Sequence, residues 1–233
     1  MMTRQPRIRF LARRAWRVLR SQGLRGGWIK LLDVTLHRRL LVLECPIDEA
    51  RAFQPARVDG PETHGVLTRD GIDNYLAFRM SEEDDLDPAE APFSKAHGKR
   101  IEGRLEAGCV CLMASKQGEM VAGVWAAVGG GDVEYLRCVV RLDPQAVYVH
   151  DLYTRPAQRG LGLAPGLIHG MAERFQGAGC RRFVALVLPE NEASLRCLGR
   201  VGFRCVGRAG YWGVGRLRWL FCTAPGCSLV SLP

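Results

Sequence analysis

A chain of 233 residues, 47% hydrophobic and with a formal net charge of +9, has room for one large domain or for a domain with an appendage. It contains no apolar run of the length a membrane-spanning helix needs, and its basic N-terminus lacks the apolar core and cleavage site of a secretory signal. Nine cysteines, an odd number without a C-x-x-C and mostly set in apolar stretches, read as reduced thiols of a cytoplasmic protein rather than as disulfides or a metal site.

The charge is uneven, with +10 on residues 1–43 and −1 on the remainder. Residues 5–21 read as an amphipathic helix with Ile8, Leu11, Ala15, Val18 and Leu19 on one face and arginines on the other. Gly23, Gly26 and Gly27 interrupt the pattern, and a second helical run carries Leu24, Trp28, Leu31, Leu32 and Leu36. Such an arm either packs on the domain with its arginines in water, or seeks an anionic membrane surface or an acidic protein partner. The membrane reading would put the protein peripherally at the inner face of the membrane. No aromatic-interleaved basic patch points to nucleic acid.

Leu40–Glu44 reads as a short strand ended by Cys45-Pro46. Residues 44–64, with Pro55 and Pro61, read as a linker or edge extension. Val66-Leu67 suggests a strand and Thr68 the N-cap of a helix bearing Ile72, Tyr75, Leu76 and Met80 on one face. The acidic run Ser81–Asp87 reads as a solvated loop or a surface that pairs with the arginine-rich arm, with attraction of a cationic substrate as the functional alternative. A helix is predicted over 92–107, with Phe93, Ile101 and Leu105 on one face and Arg100 and Arg104 one turn apart. Cys109–Ala114 and Met120–Val128 form a hairpin about Lys116–Glu119. Gly129-Gly130-Gly131 breaks the chain, Val133–Leu142 has strand character, and Asp143-Pro144 turns it into a strand at 146–154.

The next stretch, Arg155–Leu167, follows that strand and precedes a helical pattern of Leu167, Ile168, Met171, Ala172 and Phe175. Gly160 and Gly162 let the backbone bend sharply and approach a ligand, and Pro165 suits a first helical turn. Unpaired N–H groups at the helix start, with the helix dipole and Arg159 and Arg155, make a cradle for a phosphate or pyrophosphate. The plain alternative is a tight strand-to-helix turn. The spacing fits neither a nucleoside-triphosphatase loop nor a dinucleotide-binding turn.

Arg159-x-x-Gly162-x-Ala164 resembles the acetyl-CoA signature R/Q-x-x-G-x-G/A of the GCN5-related N-acetyltransferase (GNAT) superfamily. Phe183–Leu188 resembles the family's next strand, and Asn191 through Gly202-Phe203 its following helix. The resemblance is clear over about residues 145–210 and extends to about 65–222. It implies an α/β fold with a mixed, mostly antiparallel twisted sheet flanked by helices, splayed where the strand ends near Thr154, together with an N-terminal helical extension. The implied organisation is an arm at 1–43, a linker at 44–64, a domain at 65–222 and a loose tail at 223–233, with 204–208 and 211–222 as a last pair of strands.

By the same resemblance the activity is that of a bacterial-type acetyl-CoA-dependent N-acyltransferase acting on a primary amine by direct attack on the thioester. The alternative is a non-catalytic CoA-binding scaffold delivered by the basic arm. Residues expected to hold acetyl-CoA are Leu152, Tyr153, Thr154, Arg155, Arg159, Gly160, Leu161, Gly162, Leu163, Ala164, Asn191 and Ser194. A backbone N–H near Leu152 or Tyr153 would face the thioester oxygen. The amine needs a base, for which His150, Asp151 and Glu134 are candidates. His150 has a suitable ordinary pKa, and Asp151 could orient an amine or help through a raised pKa. Strand alternation predicts that His150 and Asp151 point to opposite faces. The tyrosine that the family often uses as general acid is replaced by Leu198, leaving Tyr153, Tyr211 or solvent. No metal is expected.

Overall fold

The computed structural model describes residues 37–53, 63–80, 95–214 and 217–232. The helices expected at 5–21 and 24–36 and the acidic loop at 81–87 lie outside the described residues. In chain order the elements are β1 (His37–Pro46), α1 (Ile47–Ala52), β2 (Thr63–Val66), α2 (Ile72–Met80), α3 (Lys95–Glu106), β3 (Val110–Lys116), β4 (Glu119–Val128), β5 (Gly130–Val133), β6 (Cys138–Leu142), β7 (Ala146–Thr154), α4 (Leu163–Gly177), β8 (Arg182–Val187), α5 (Glu192–Val201), β9 (Arg204–Val214), β10 (Leu217–Cys222) and β11 (Cys227–Ser231).

Eight strands form the main sheet in the order β10-β9-β1-β8-β7-β4-β3-β2, and three form a smaller sheet, β11-β6-β5. Every pairing is antiparallel except that of β7 with β8. This is the mixed, mostly antiparallel α/β architecture that the sequence implies. Because side chains alternate along a strand, the main sheet has two cores. On one face Leu167, Ile168, Met171 and Phe175 of α4 meet Val124, Val147 and Phe183, joined by Leu198 and Val201 of α5. Burial of each such side chain contributes roughly 1.5–3 kcal/mol. On the other face α2 and α3 set Ile72, Tyr75, Phe78 and Ile101 over Cys111 and Trp125. Beside them the small sheet sets Val133, Cys138 and Val140 over Leu40, Tyr148 and Tyr211. No helix among the described residues is long and apolar enough to cross a membrane.

Several expectations are corrected. The strand predicted at 40–44 runs from His37 to Pro46 and lies inside the main sheet, pairing with β9 on one side and β8 on the other. Its apolar residues serve both faces, Leu43 in one core and Leu40 in the other. Residues 37–46 therefore belong to the sheet, not to an arm and linker, and α1 follows directly with Ile47 and Ala50 buried. The helix after Thr68 is preceded by a short 3-10 turn at Arg69–Gly71, and the Thr68 side chain makes no cap bond.

The triple glycine does not end the sheet structure. Gly130 and Gly131 belong to β5, and a Cβ on Gly130 would lie 2.0 Å from the Val140 carbonyl oxygen. Glycine is there because β5 and β6 approach too closely for a side chain. The expected loose tail instead contains β11, paired with β6 from Cys227↔Leu142 to Ser231↔Cys138.

Candidate active site

β7 and β8 run in parallel from Ala146↔Arg182 to Val149↔Ala185, and there their pairing ends. Beyond that point β8 stays with β1, as far as Val187↔Leu41, while β7 stays with β4, as far as Thr154↔Ala122. A wedge thus opens between two neighbouring strands from His150 onward. The sequence placed the splay at this strand, and the register locates its start.

The glycine-rich turn closes the mouth of the wedge. A 3-10 turn at Pro156–Gln158 leads to Gly160 and Gly162, both with left-handed φ values of +82° and +77°. Gly162 is the N-cap of α4. Among the described residues, no acceptor meets the backbone N–H groups of Gly160, Leu161, Gly162, Leu163 and Ala164, whereas Gly166 N–H donates to the Gly162 carbonyl at 3.0 Å. Five such donors at and just before a helix start, and two glycines with left-handed φ, are the elements of an anion cradle. Arg159 donates from Nε to the Thr154 carbonyl at 3.2 Å, folded back over the turn. Arg155 is turned the other way, with its guanidinium 2.8 Å from Glu119 Oε2 and over the Phe78 ring at 5.5 Å. On the far bank Asn191 caps α5, its Oδ1 accepting from the Ser194 N–H at 3.0 Å. Two groups expected to bind a ligand are thus engaged with each other.

The β7 side of the wedge is irregular. Between Gly123↔Tyr153 and Trp125↔His150 the register slips, so β7 holds one residue more than β4. The slip falls at Asp151, whose φ is +47°, and this is a β-bulge. It overturns the expectation that His150 and Asp151 face opposite sides. With alternation broken, the His150 Nδ1 lies 3.5 Å from Asp151 Oδ2. Leu152 packs toward the α4 core, and Tyr153 toward the α2–α3 core.

Asp151 stands in a row of charges. Arg104 of α3 donates to Asp151 Oδ2 at 2.6 Å and to Glu134 Oε1 at 3.0 Å, and Arg100 donates to the same Glu134 oxygen at 2.7 Å. Glu134 sits in the turn between β5 and β6, so these bonds join α3 to the small sheet across the top of β7. Arg104 also covers the Trp125 ring at 5.4 Å, and Trp125 donates from Nε1 to the Tyr75 hydroxyl at 2.9 Å. The His150 ring is stacked on Tyr148 at 5.0 Å and 17° and on Trp125 at 6.5 Å and 22°. Only 11% of its side chain is exposed.

Burial opposes ionisation of Asp151, but the hydrogen bonds and charges of His150 and Arg104 outweigh it and hold the carboxyl well below the usual carboxylate range. That direction is opposite to the raised value through which Asp151 would help as a base. Burial likewise disfavours the charge on Arg104, and Asp151 and Glu134 outweigh it. Burial pushes the Tyr148 and Tyr75 hydroxyls far up, so neither ionises near neutrality.

Of the candidate acids, Tyr153 lies edge-on to Phe78 at 5.5 Å with Arg79 over its ring at 4.3 Å. Tyr211 is buried beneath the small sheet. Leu198 is 3% exposed and packs in the α4 core. Among the described residues no group of three or more His, Cys, Asp or Glu could hold a metal ion. The sequence reading missed the clamp made by Arg100 and Arg104. Their spacing on one helix face was visible, but their partners lie 30–47 residues away.

The family model that matches the sequence is that of the acetyltransferase (GNAT) family, over residues 75–203, more than half of the chain. Solved structures similar to it include an aminoglycoside antibiotic 6'-N-acetyltransferase from Acinetobacter baumannii, 17% identical, covering 61% of this chain and 90% of that one with a TM-score of 0.47. Another is an acetyltransferase from Trypanosoma brucei, at 21% identity, 61% and 92% coverage and a TM-score of 0.44. A third is a ribosomal-protein-alanine N-acetyltransferase from Brucella melitensis, at 16% identity, 60% and 90% coverage and a TM-score of 0.44. No curated protein matches the chain.

Proposed function

The chain belongs to the acetyltransferase (GNAT) family, and from that premise we propose that it transfers an acetyl group from acetyl-CoA to a primary amine by direct attack on the thioester. The observation that carries the reading is the wedge between β7 and β8 beside a glycine turn whose N–H groups meet no acceptor among the described residues. That turn suits a diphosphate, with Arg159 at its rim. The edge of β7 that β8 leaves after Val149 suits an extended amide-bearing arm, since a strand edge offers backbone donors and acceptors.

The roles of this chain's residues follow from their places. A backbone N–H of the bulge near Leu152 or Tyr153 would donate to the carbonyl oxygen as negative charge grows there. His150 would accept the proton that the attacking amine sheds, since it is fixed by two rings beside the opening. The amine nitrogen bonds to the carbonyl carbon, the carbon–sulfur bond breaks, and the thiolate leaves to take a proton from solvent or from Tyr153. Glu134 and Asp151, each about half exposed, keep one carboxylate oxygen apiece clear of the arginines. Such oxygens favour a cationic acceptor approaching along this rim.

Titration calorimetry with CoA tests the first half. Gly162→Asp puts a side chain and a negative charge where φ is +77°, and CoA affinity should fall at least about tenfold, the range of a lost charge-assisted contact. Unchanged binding by the folded variant would refute the site. Release of free CoA over a panel of amines tests the second half. Turnover supports the transferase, and tight CoA binding without turnover favours the scaffold reading that Leu198 suggests.

A further inference from the structure

We propose that Asp151 is a positioning residue for His150: the bulge at Asp151 turns its carboxylate onto the imidazole Nδ1, fixing the tautomer that carries the proton there and leaves Nε2 bare toward the wedge. Arg104 donates to the same oxygen and sets how strongly it pulls. The inference rests on the reading of His150 as the proton acceptor, and it adds why this imidazole faces its substrate with the correct nitrogen.

Three observations converge on it. The first is the backbone. A non-glycine residue at φ +47° is uncommon, and such outliers persist only where the surrounding structure holds them. Regular alternation would have sent Asp151 to the α4 face, away from His150. The bulge is the device that brings the two side chains together. The second is the ring. Stacking on Tyr148 and Trp125 leaves His150 little freedom to rotate, so the only question left open is which nitrogen bears hydrogen. The Nδ1 is 3.5 Å from Asp151 Oδ2, a carboxylate oxygen that accepts and cannot donate when ionised. The third is the clamp. Arg104 bonds the same oxygen at 2.6 Å and is itself held by Glu134, which Arg100 holds in turn. The carboxylate is kept charged and cannot swing away.

The groups that face this pair are Arg104 on α3, Glu134 in the β5–β6 turn, Tyr148 on β7, Tyr75 and Arg79 on α2, and Cys111 on β3. Burial keeps both tyrosines and Cys111 neutral near pH 7, so the charges that count are Arg104, Glu134 and Arg79. A carboxylate held charged can accept the ring N–H and cannot donate to it, so removing Asp151 should release the ring from its single tautomer. A merely structural role for Asp151 predicts no such change.

The test is long-range proton–nitrogen NMR of the full-length nitrogen-15-labelled protein, which reads ring tautomers without needing an acceptor. The chain has five histidines, and the signals lost in His150→Gln assign this one. The wild type should show a protonated Nδ1 and an unprotonated Nε2. Asp151→Gly removes the acceptor while suiting a positive φ, and the ring should leave that single tautomer. Asp151→Asn keeps an acceptor and tolerates the left-handed backbone, so the tautomer should be retained. An Nε2-protonated ring in the wild type, or a tautomer unchanged in Asp151→Gly, would overturn the proposal. CoA release by His150→Gln answers the separate question: if it is as fast as wild type, His150 is not the base. If it slows about 10²-fold, as loss of a general base does, while the Asp151 variants leave the tautomer unmoved, only the positioning role fails.

Discussion

Asp151 also governs how the protein meets acid. Its carboxyl is held below the ordinary range, so its folded pKa lies under its unfolded one, near 3.9. A depressed carboxyl contributes stability that is fully present above the unfolded value and is lost as pH falls through and below it. Its side chain is 44% exposed, so solvent screens part of the effect. Thermal unfolding followed from pH 6 to pH 3 should show the wild-type melting temperature falling more steeply below about pH 4 than that of Asp151→Asn. Parallel curves would mean that the Arg104 and His150 contacts add nothing to the fold. At the other end of the small sheet, the thiols of Cys222 and Cys227 influence each other, so that the first is lowered to about 7 and the second is raised. Thiolates react and thiols do not. Iodoacetamide at pH 7 should therefore modify Cys222 ahead of Cys227, and peptide mapping of the native protein checks the order. The sequence showed these residues without their environment, because Asp151 acquires its partners only through the bulge, and no local pattern around Tyr148–Thr154 announces an extra residue.

At the scale of elements, legibility followed how local the causes are. The hairpin of β3 and β4, the strand β7 and the helix α4 are each specified by periodicity and turn residues within about fifteen positions, and they were placed nearly to the residue. β1 was shortened and set aside because its value lies in pairing with β8 and β9, more than 130 residues later. β5 was missed because Gly130 and Gly131 look like a break unless the neighbouring strand is known. β11 was missed because a five-residue strand with no alternation of burial gives no signal of its own. The boundary of the basic arm changes with β1. Removing residues 1–36 keeps all of β1, whereas removing 1–46 strips the strand between β8 and β9 and exposes Val187 and Ala185 on one side. Soluble yield and circular dichroism should separate the two constructions, with the first folded and the second aggregated. If the shorter truncation also aggregates, residues 1–36 cover the domain. If it stays soluble but loses sedimentation with anionic vesicles shown by the full chain, they are a targeting arm, with roughly 1 kcal/mol of attraction per arginine near the surface.

For the molecule as a whole, the motif Arg159-x-x-Gly162-x-Ala164 carried the family, and the family carried the architecture. The charged clamp above β7 was beyond reach because α3, the β5–β6 turn and the bulge come from three separate parts of the chain. The placement of β1 has a further consequence, for the order in which the protein is made. β1 is finished at Pro46, yet both of its neighbours lie in the last third of the sequence, β8 beginning at Arg182 and β9 at Arg204. At the roughly 5–20 residues per second of synthesis, the interval from residue 46 to residue 182 lasts on the order of ten seconds. During that time a strand rich in leucine and valine has both backbone edges open on the nascent chain. The β2–β3–β4–β7 half of the sheet can assemble meanwhile, since its strands follow one another closely. The other half must wait and close around its oldest member, so ribosome-bound fragments ending before Arg182 should recruit holdase chaperones that the finished protein does not need.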